Sequence, residues 1–260
     1  MIAREPDRCS VPYRVRFDEG GPDGLLRTSV LLRYAQDLAG YHSSLRGFGR
    51  AWYAEREITW LVRAAEVAVL GRIPVGTELV GTTQVVGWRR VWARRRTEFH
   101  EADGALLGWV HIDWILVDAR GAPTRIPPEF DAAFRTPAAT FRLARVDLGE
   151  APSDAVRTSL TVRPQELDPM DHVNNAVYGD WLDEAVLAAG ADAAVRAIPR
   201  LTRLEYARAA EPAARLVAEA WPDDGGWSCR VSEGDGELLR ARLEPITDVR
   251  FQTFDPARAG

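Results

Sequence analysis

Residues 167–182 of this 260-residue chain read LDPMDHVNNAVYGDWL. The second part of the stretch carries apolar side chains at Val177, Tyr178, Trp181 and Leu182, a spacing that places them on one face of a helix. Polar residues fill the positions just before it. The stretch therefore predicts a helix with one buried face, preceded by a cluster of polar side chains.

A second helix of the same kind is predicted in the first half of the chain. Its apolar residues recur at spacings of one, three or four, as one buried face requires, and they are Val30, Leu31, Tyr34, Leu38, Tyr41 and Leu45. Overlaying Tyr34 on Tyr178, an offset of 144 residues, also brings Trp60 onto Leu204 in the first long strand after each helix. The chain therefore contains a weak internal repeat.

Each helix is followed by segments rich in Val, Ile, Thr and Trp, which predict strands. In the first half they span residues 58–70, 78–86, 91–99 and 106–117, and in the second half residues 201–209, 214–221, 227–231 and 238–245. One helix followed by an antiparallel sheet, occurring twice, predicts an α+β fold.

A proline-containing segment without a sustained period, residues 127–154, separates the two halves. We therefore predict an N-terminal domain over residues 8–134 and a linker over residues 135–155. A C-terminal domain over residues 156–252 would carry the polar cluster.

Composition limits the kinds of protein this chain can be. It is 46% hydrophobic and 27% charged, as globular proteins are, and its net charge of −5 argues against a broad nucleic-acid surface. Its apolar stretches fall short of the roughly 18 residues that a membrane-spanning helix needs. The charged residues among positions 1–7 and a cysteine count of two, Cys9 and Cys229, favour a cytoplasmic protein without disulfides.

The polar cluster holds a carboxylate, an imidazole and two amides within eight residues, namely Asp168, His172, Asn174 and Asn175. Such side chains could simply cap the free N–H groups at the start of the helix. The combination also fits catalysis, because N–H groups at a helix start polarise a carbonyl oxygen and a nearby carboxylate can activate water against that carbonyl. The residues alone leave both interpretations open.

The pattern from Asp168 to Trp181 resembles the motif of hotdog-fold thioesterases, in which Asp-X-X-X-His-Val-Asn-Asn-X-X-Tyr leads into a central helix wrapped by a sheet. Residues 8–252 as a whole are similar to the acyl-acyl carrier protein (acyl-ACP) thioesterase family, which fuses two hotdog domains. Matching segments outside the motif include Trp60-Leu61-Val62, Asp113-Trp114 and Leu204-Glu205-Tyr206. The resemblance implies a double hotdog of the α+β class, with its two sheets continuous or back to back.

Carried over by position, the resemblance implies a role for each polar residue. Asp168 would be the catalytic carboxylate, and His172 would orient it or relay its proton. Val173, Asn174 and Asn175 would shape the helix start, whose N–H groups hold the thioester oxygen. The histidines and cysteines show no metal-ligand spacing, and the implied chemistry needs neither a metal nor an organic cofactor.

Two departures from the family pattern concern the chemistry. Met170 stands where plant members have asparagine, and Ala209 and Ala210 stand where they have a Glu-Cys pair. A second carboxylate could instead come from Glu205 or Glu211, which share a strand face if the strand is regular.

The densest basic run consists of Arg89, Arg90, Arg94, Arg95 and Arg96. We expect this run at a solvated strand edge. If it faced the substrate entrance, it could receive an acidic carrier protein or the phosphates of a pantetheine thioester.

The predicted function is hydrolysis of an acyl thioester on acyl carrier protein, which releases a free fatty or polyketide-type acid. Two alternatives remain, an acyl-CoA thioesterase of the hotdog superfamily and a non-catalytic protein that binds acyl thioesters. The first half has DGLLRT at residues 23–28 in place of the motif, so we expect one active site per chain, in a monomer or a homodimer. The expected partner is the carrier-protein or coenzyme A thioester, with no nucleic acid and no membrane span.

Overall fold

The computed structural model describes residues 7–136 and 142–247. In the first half, one strand precedes a long helix and four strands follow it. The elements are β1 (Arg8–Arg14), α1 (Thr28–Leu45), α2 (Arg50–Glu55), β2 (Ile58–Val69), β3 (Glu78–Arg89), β4 (Trp92–Glu101), β5 (Leu106–Asp118) and α3 (Glu129–Phe134).

The second half repeats this order with shorter elements. They are β6 (Val156–Thr161), α4 (Val177–Ala188), α5 (Asp192–Arg196), β7 (Arg200–Tyr206), β8 (Arg215–Asp223), β9 (Gly226–Glu233) and β10 (Gly236–Pro245). Every strand segment that the sequence predicts is a strand, with ends shifted by a few residues.

Within the described residues, the strands form one antiparallel sheet in the order β1-β3-β4-β5-β2-β7-β10-β9-β8-β6. Strands β2 and β7 pair at its centre, from Ala64 opposite Glu205 to Val69 opposite Arg200. Reading outward from this seam, corresponding strands of the two halves follow in the same order. The fold is therefore a double hotdog of the α+β class whose two sheets are continuous rather than back to back.

Helices α1 and α4 pack on the same side of the sheet, called here the inner side, and they also contact each other. Their apolar faces supply much of the core, with Leu31, Leu38, Tyr178 and Leu182 at most 1% exposed. No helix in residues 7–136 and 142–247 is long and apolar enough to cross a membrane.

The predicted buried face of α1 is wrong at its C-terminal end. Tyr41 and Leu45 are exposed, and the buried position one turn after Leu38 belongs to His42. The His42 ring lies edge-on to Phe134 of α3, with 5.3 Å between ring centroids.

The segment that joins the halves lies against the outer side of the sheet. Of the predicted linker, residues 137–141 lie outside the described residues, as do residues 248–252 of the predicted C-terminal domain. The Ala144 N–H donates to Asp113 Oδ2 of β5 at 2.8 Å, and the Val146 N–H donates to Glu205 Oε2 of β7 at 2.9 Å. The segment is therefore attached to both halves.

The arginine run does not form a solvated strand edge, so that expectation is wrong. Arg89 at the end of β3 and Arg90 in the turn that follows are exposed, but Arg94, Arg95 and Arg96 are buried. Strand β4 is paired on both sides, with β3 and with β5, and its faces are covered by α1 and by the joining segment.

Each of the three buried arginines has its own polar partner. Arg94 makes a bidentate pair with Asp113 at 2.6 and 2.8 Å, and Arg96 bonds Glu98 at 2.7 Å. An Nη1 atom of Arg95 lies 2.9 Å from His42 Nδ1, and burial lowers the pKa of His42 to about 3, so this imidazole is neutral. These three guanidinium groups are therefore bonded inside the protein and are not presented to a carrier protein or to coenzyme A.

Candidate active site

A tight loop places the polar motif immediately before α4. Leu167 and Val173 pair as an isolated antiparallel bridge, and the Asp168 N–H donates to the His172 carbonyl at 2.8 Å. Asp171, at the tip, has a φ of 60°, a left-handed conformation that aspartate tolerates better than most residues. Asp168 and His172 thus lie opposite each other at the base of one short hairpin.

The Asp168 carboxylate is half-buried and folded onto its own loop. Its Oδ1 atom accepts a hydrogen bond from the Met170 N–H at 2.8 Å, which is an Asx turn. Within the described part of the chain its Oδ2 atom has no hydrogen-bond partner, and the exposed His172 ring makes no hydrogen bond to this carboxylate. The structure brings the two residues into one loop without joining their side chains.

The two asparagines build the turn that leads into α4. Asn174 Oδ1 accepts the Ala176 N–H at 3.0 Å, and the Asn174 carbonyl accepts the Val177 N–H at 2.9 Å. Asn174 Oδ1 thus satisfies the N–H of Ala176, the residue just before α4, whereas no side chain caps the helix at its N-cap position. Val173 is buried beside Asn174 and anchors the loop that carries Asp168 just before the positive end of α4.

A residue of the first half, which the sequence analysis missed, also belongs to this site. Gln36 of α1 donates from Nε2 to Asn174 Oδ1 at 3.5 Å and accepts from Asn175 Nδ2 at 3.3 Å. The signal was a polar residue next to the apolar stripe of the first helix. The Tyr206 hydroxyl of β7 donates to the Asn175 carbonyl at 2.9 Å and was missed as well.

The two candidate second carboxylates lie elsewhere. Neighbouring strand residues point to opposite sides of a sheet, so Glu205 is directed outward because Tyr206 is directed inward toward Asn175. Glu205 instead accepts from the Val146 N–H and pairs with Arg145 of the joining segment. Glu211 is exposed in the turn before β8. Among the described contacts, neither glutamate touches Asp168.

The corresponding place in the first half has a similar loop with different chemistry. Asp23 Oδ1 accepts the Leu25 N–H at 3.0 Å, as Asp168 does with Met170. At the start of α1, however, Ser29 Oγ donates to Asp180 Oδ1 of α4 at 2.5 Å, and Arg33 bonds Asp180 Oδ2 at 3.0 Å. The side chain that reaches the start of α1 from the other half is thus a carboxylate, whereas the one that reaches the start of α4 is an amide.

Burial shifts the titration of several groups around α4. It raises the pKa of Asp183 to about 7, against the opposing effect of Arg200, so this carboxyl holds its proton far more readily than an exposed aspartate. It also raises the pKa of Tyr178 and of Tyr206, which keeps both hydroxyls protonated. No group of three or more His, Cys, Asp or Glu side chains in the described residues could hold a metal ion.

Comparison with known protein families gives matches over most of the chain. The model of the acyl-ACP thioesterase N-terminal domain matches residues 7–134, and that of the acyl-ACP thioesterase C-terminal domain matches residues 149–216.

Two curated relatives are plant enzymes. A chloroplastic acyl-(acyl-carrier-protein) hydrolase, FATB2, of Cuphea viscosissima is 26% identical over 195 residues, which cover 66% of this chain and 46% of the relative. A chloroplastic palmitoyl-acyl carrier protein thioesterase of Cuphea hookeriana is 24% identical over 261 residues, which cover 89% of this chain and 60% of the relative. The chain thus spans only about half of each of these relatives.

Solved structures share the fold over nearly the whole chain. A 12:0-ACP thioesterase from Umbellularia californica superposes with a TM-score of 0.78 at 22% identity, covering 93% of this chain and 98% of that one. An acyl-ACP thioesterase from Bacteroides thetaiotaomicron gives a TM-score of 0.76 at 17% identity, covering 91% and 97%.

Proposed function

Because this chain belongs to the acyl-ACP thioesterase family, we propose that it hydrolyses an acyl thioester carried on acyl carrier protein and releases a free fatty or polyketide-type acid. The observation that carries the proposal is the loop of Asp168 at the start of α4. It places a carboxylate oxygen that has no partner in the described residues on the loop that leads into the positive end of a buried helix. The reaction needs both features.

In the proposed mechanism the thioester carbonyl oxygen accepts hydrogen bonds from donors at the helix start, where Asn174 and Asn175 lie. Asp168 takes a proton from water as the water oxygen attacks the carbonyl carbon. Negative charge then develops on the carbonyl oxygen, which these donors stabilise. When the tetrahedral intermediate collapses, the C–S bond breaks. The sulfur then receives the proton that Asp168 took from water, either directly or through His172, and leaves as a thiol.

The coenzyme A alternative gains weight from one observation. Three of the five arginines that could have received an acidic carrier protein are buried, and Arg89 and Arg90 alone remain exposed in that run. Coenzyme A and acyl carrier protein present the same thioester, so the proposed chemistry is unchanged. A non-catalytic binding role has no comparable observation in its favour.

We place the proposed enzyme in the cytoplasm because its two cysteines, Cys9 and Cys229, are both free and buried. The site is assembled from α1 and α4 of the same chain, so a monomer suffices for it, and a homodimer would add a second copy.

The test is single-turnover hydrolysis of matched acyl-ACP and acyl-CoA thioesters of several chain lengths. Asp168→Asn keeps the side-chain volume and removes the base, so the rate should fall about 10²- to 10⁴-fold. Asp23→Asn is the matched control, since Asp23 makes the same Asx turn in the first half. Wild-type rates in Asp168→Asn would exclude this carboxylate, and equal rates with both carriers would favour the coenzyme A alternative.

A further inference from the structure

The two buried helices exchange side chains in a reciprocal way. The 144-residue offset of the internal repeat pairs Gln36 of α1 with Asp180 of α4. Gln36 reaches the start of α4, where it bonds Asn174 and Asn175, while Asp180 reaches the start of α1, where it bonds Ser29. Each half therefore contributes one side chain to the other half's helix start.

We infer that Gln36 is a positioning residue for the active site proposed above, on which this inference rests. It holds the side-chain amides of Asn174 and Asn175 in the orientation that presents a hydrogen-bond donor to the thioester oxygen. The site is then built from both halves of the chain, although its sequence motif lies wholly in the second half.

The side-chain amides of Gln36, Asn174 and Asn175 each offer one acceptor oxygen and two N–H donors. Asn174 Oδ1 already accepts the Ala176 N–H and accepts Gln36 Nε2 as well. With its oxygen directed inward, the Asn174 amide must direct its NH2 group away from the helix. Within the described residues this NH2 group has no partner, so it is free to donate to a ligand.

Gln36 can do this because a primary amide offers a donor and an acceptor at once. Its Nε2 also bonds the Leu32 carbonyl one turn earlier on α1, at 3.4 Å, and this bond limits the rotation of the side chain. Its Oε1 accepts from Asn175 Nδ2. The Asn175 backbone is held separately by the Tyr206 hydroxyl, so Asn175 is fixed from α1 and from β7.

The reciprocal contact explains why the first half offers no equivalent site. Asp180 has both carboxylate oxygens engaged, one by Ser29 and the other by Arg33. Neither a carboxylate nor a serine that donates to it presents a free N–H donor at the start of α1. The same helix pairing thus orients amides at one end and closes an ion pair at the other.

The test uses two substitutions of Gln36 with Asp180→Asn as the matched control at the reciprocal contact. Gln36→Leu removes the hydrogen bonds to both asparagines, and Gln36→Glu keeps the acceptor for Asn175 while it removes the donor to Asn174. We expect kcat to fall about 10- to 100-fold in both variants with KM changed far less, because misplaced groups affect the transition state most. Asp180→Asn should leave kcat within about twofold of the wild type.

A double-mutant cycle separates positioning from a general structural effect. If Gln36 acts through the two asparagines, Gln36→Leu should cost little further kcat in a background that carries both Asn174→Ala and Asn175→Ala. Independent, multiplying losses in that background would overturn the inference, as would wild-type kcat in Gln36→Glu.

Failure of the proposed reaction has a different signature. In that case the wild type hydrolyses no thioester of the panel, and the side-chain amide signals of Asn174 and Asn175 in NMR spectra still test the contact. Gln36→Leu should shift both signals and speed their hydrogen exchange, whereas Asp180→Asn should leave them in place. Unchanged signals in Gln36→Leu would contradict the inference whatever the activity.

Discussion

Glu205 offers the sharpest separation between a catalytic and a structural carboxylate. It is 7% exposed on the outer side of the sheet and accepts the N–H of Val146, which is 4% exposed. In Glu205→Ala that N–H is left buried without a partner. We therefore expect the variant to lose stability while the chemical step of thioester hydrolysis is retained.

The size of the loss follows from the two contacts. An unpaired buried N–H group costs about 1–3 kcal/mol. The ion pair with Arg145 adds at most about 1 kcal/mol, because the Arg145 side chain is 67% exposed and water screens it. The total loss is therefore about 1–4 kcal/mol. For a chain of this length each kcal/mol lowers the melting temperature by about 2–4 °C, so a fall of roughly 2–16 °C is expected.

Thermal melts and single-turnover hydrolysis on the same preparations provide the measurement. Glu205→Gln is the matched control, since its amide oxygen still accepts the Val146 N–H and should recover most of the lost stability. The reasoning is refuted if Glu205→Ala melts like the wild type but hydrolyses thioesters at least a hundredfold more slowly. Glu205 would then act in the reaction, and its outward direction would have to be abandoned.

Three further substitutions test other parts of the molecule. Asp113→Asn breaks the buried pair with Arg94 and should lower the free energy of urea unfolding by about 3–5 kcal/mol. A loss below about 1 kcal/mol would contradict the burial of this pair. Asp183 has a folded pKa of about 7 against 3.8 in an exposed chain, so its ionisation destabilises the fold progressively from about pH 4 to pH 7. The melting temperature of Asp183→Asn should therefore exceed that of the wild type at pH 8 and equal it at pH 4. Equal melting temperatures at pH 8 would contradict the raised pKa of Asp183. His172→Ala should slow hydrolysis yet leave the melting temperature unchanged, because the ring is exposed.

Local pattern was enough to predict most of the fold. The stripe around Tyr178 and the alternating segments after it are short-range features, so they predict a helix and strands without knowledge of the partner elements. The position of a strand within a sheet is not local. Arg94 to Arg96 looked solvated because their own segment is polar, whereas β4 is buried by β3, β5, α1 and the joining segment.

The candidate site divides in the same way. Asp168 and His172 are four residues apart, and a short hairpin brings them together, which the sequence could predict. Gln36 lies 138 residues from Asn174, and only the pairing of two helices from different halves brings the two side chains into contact. For Glu205 the signal was present, because apolar Leu204 and Tyr206 flank it and mark the inner side of β7.

Because the two halves that meet at the central β2–β7 seam belong to one chain, the fraction of complete sites does not depend on protein concentration. Two separate hotdog chains would have to associate before one helix could reach the other, so the fraction of complete sites would fall with protein concentration. Here both helices belong to one polypeptide, and their encounter is governed by an effective concentration that dilution does not alter. Specific activity should accordingly stay constant as the enzyme is diluted, and assembly of the site is a folding event, not a binding equilibrium.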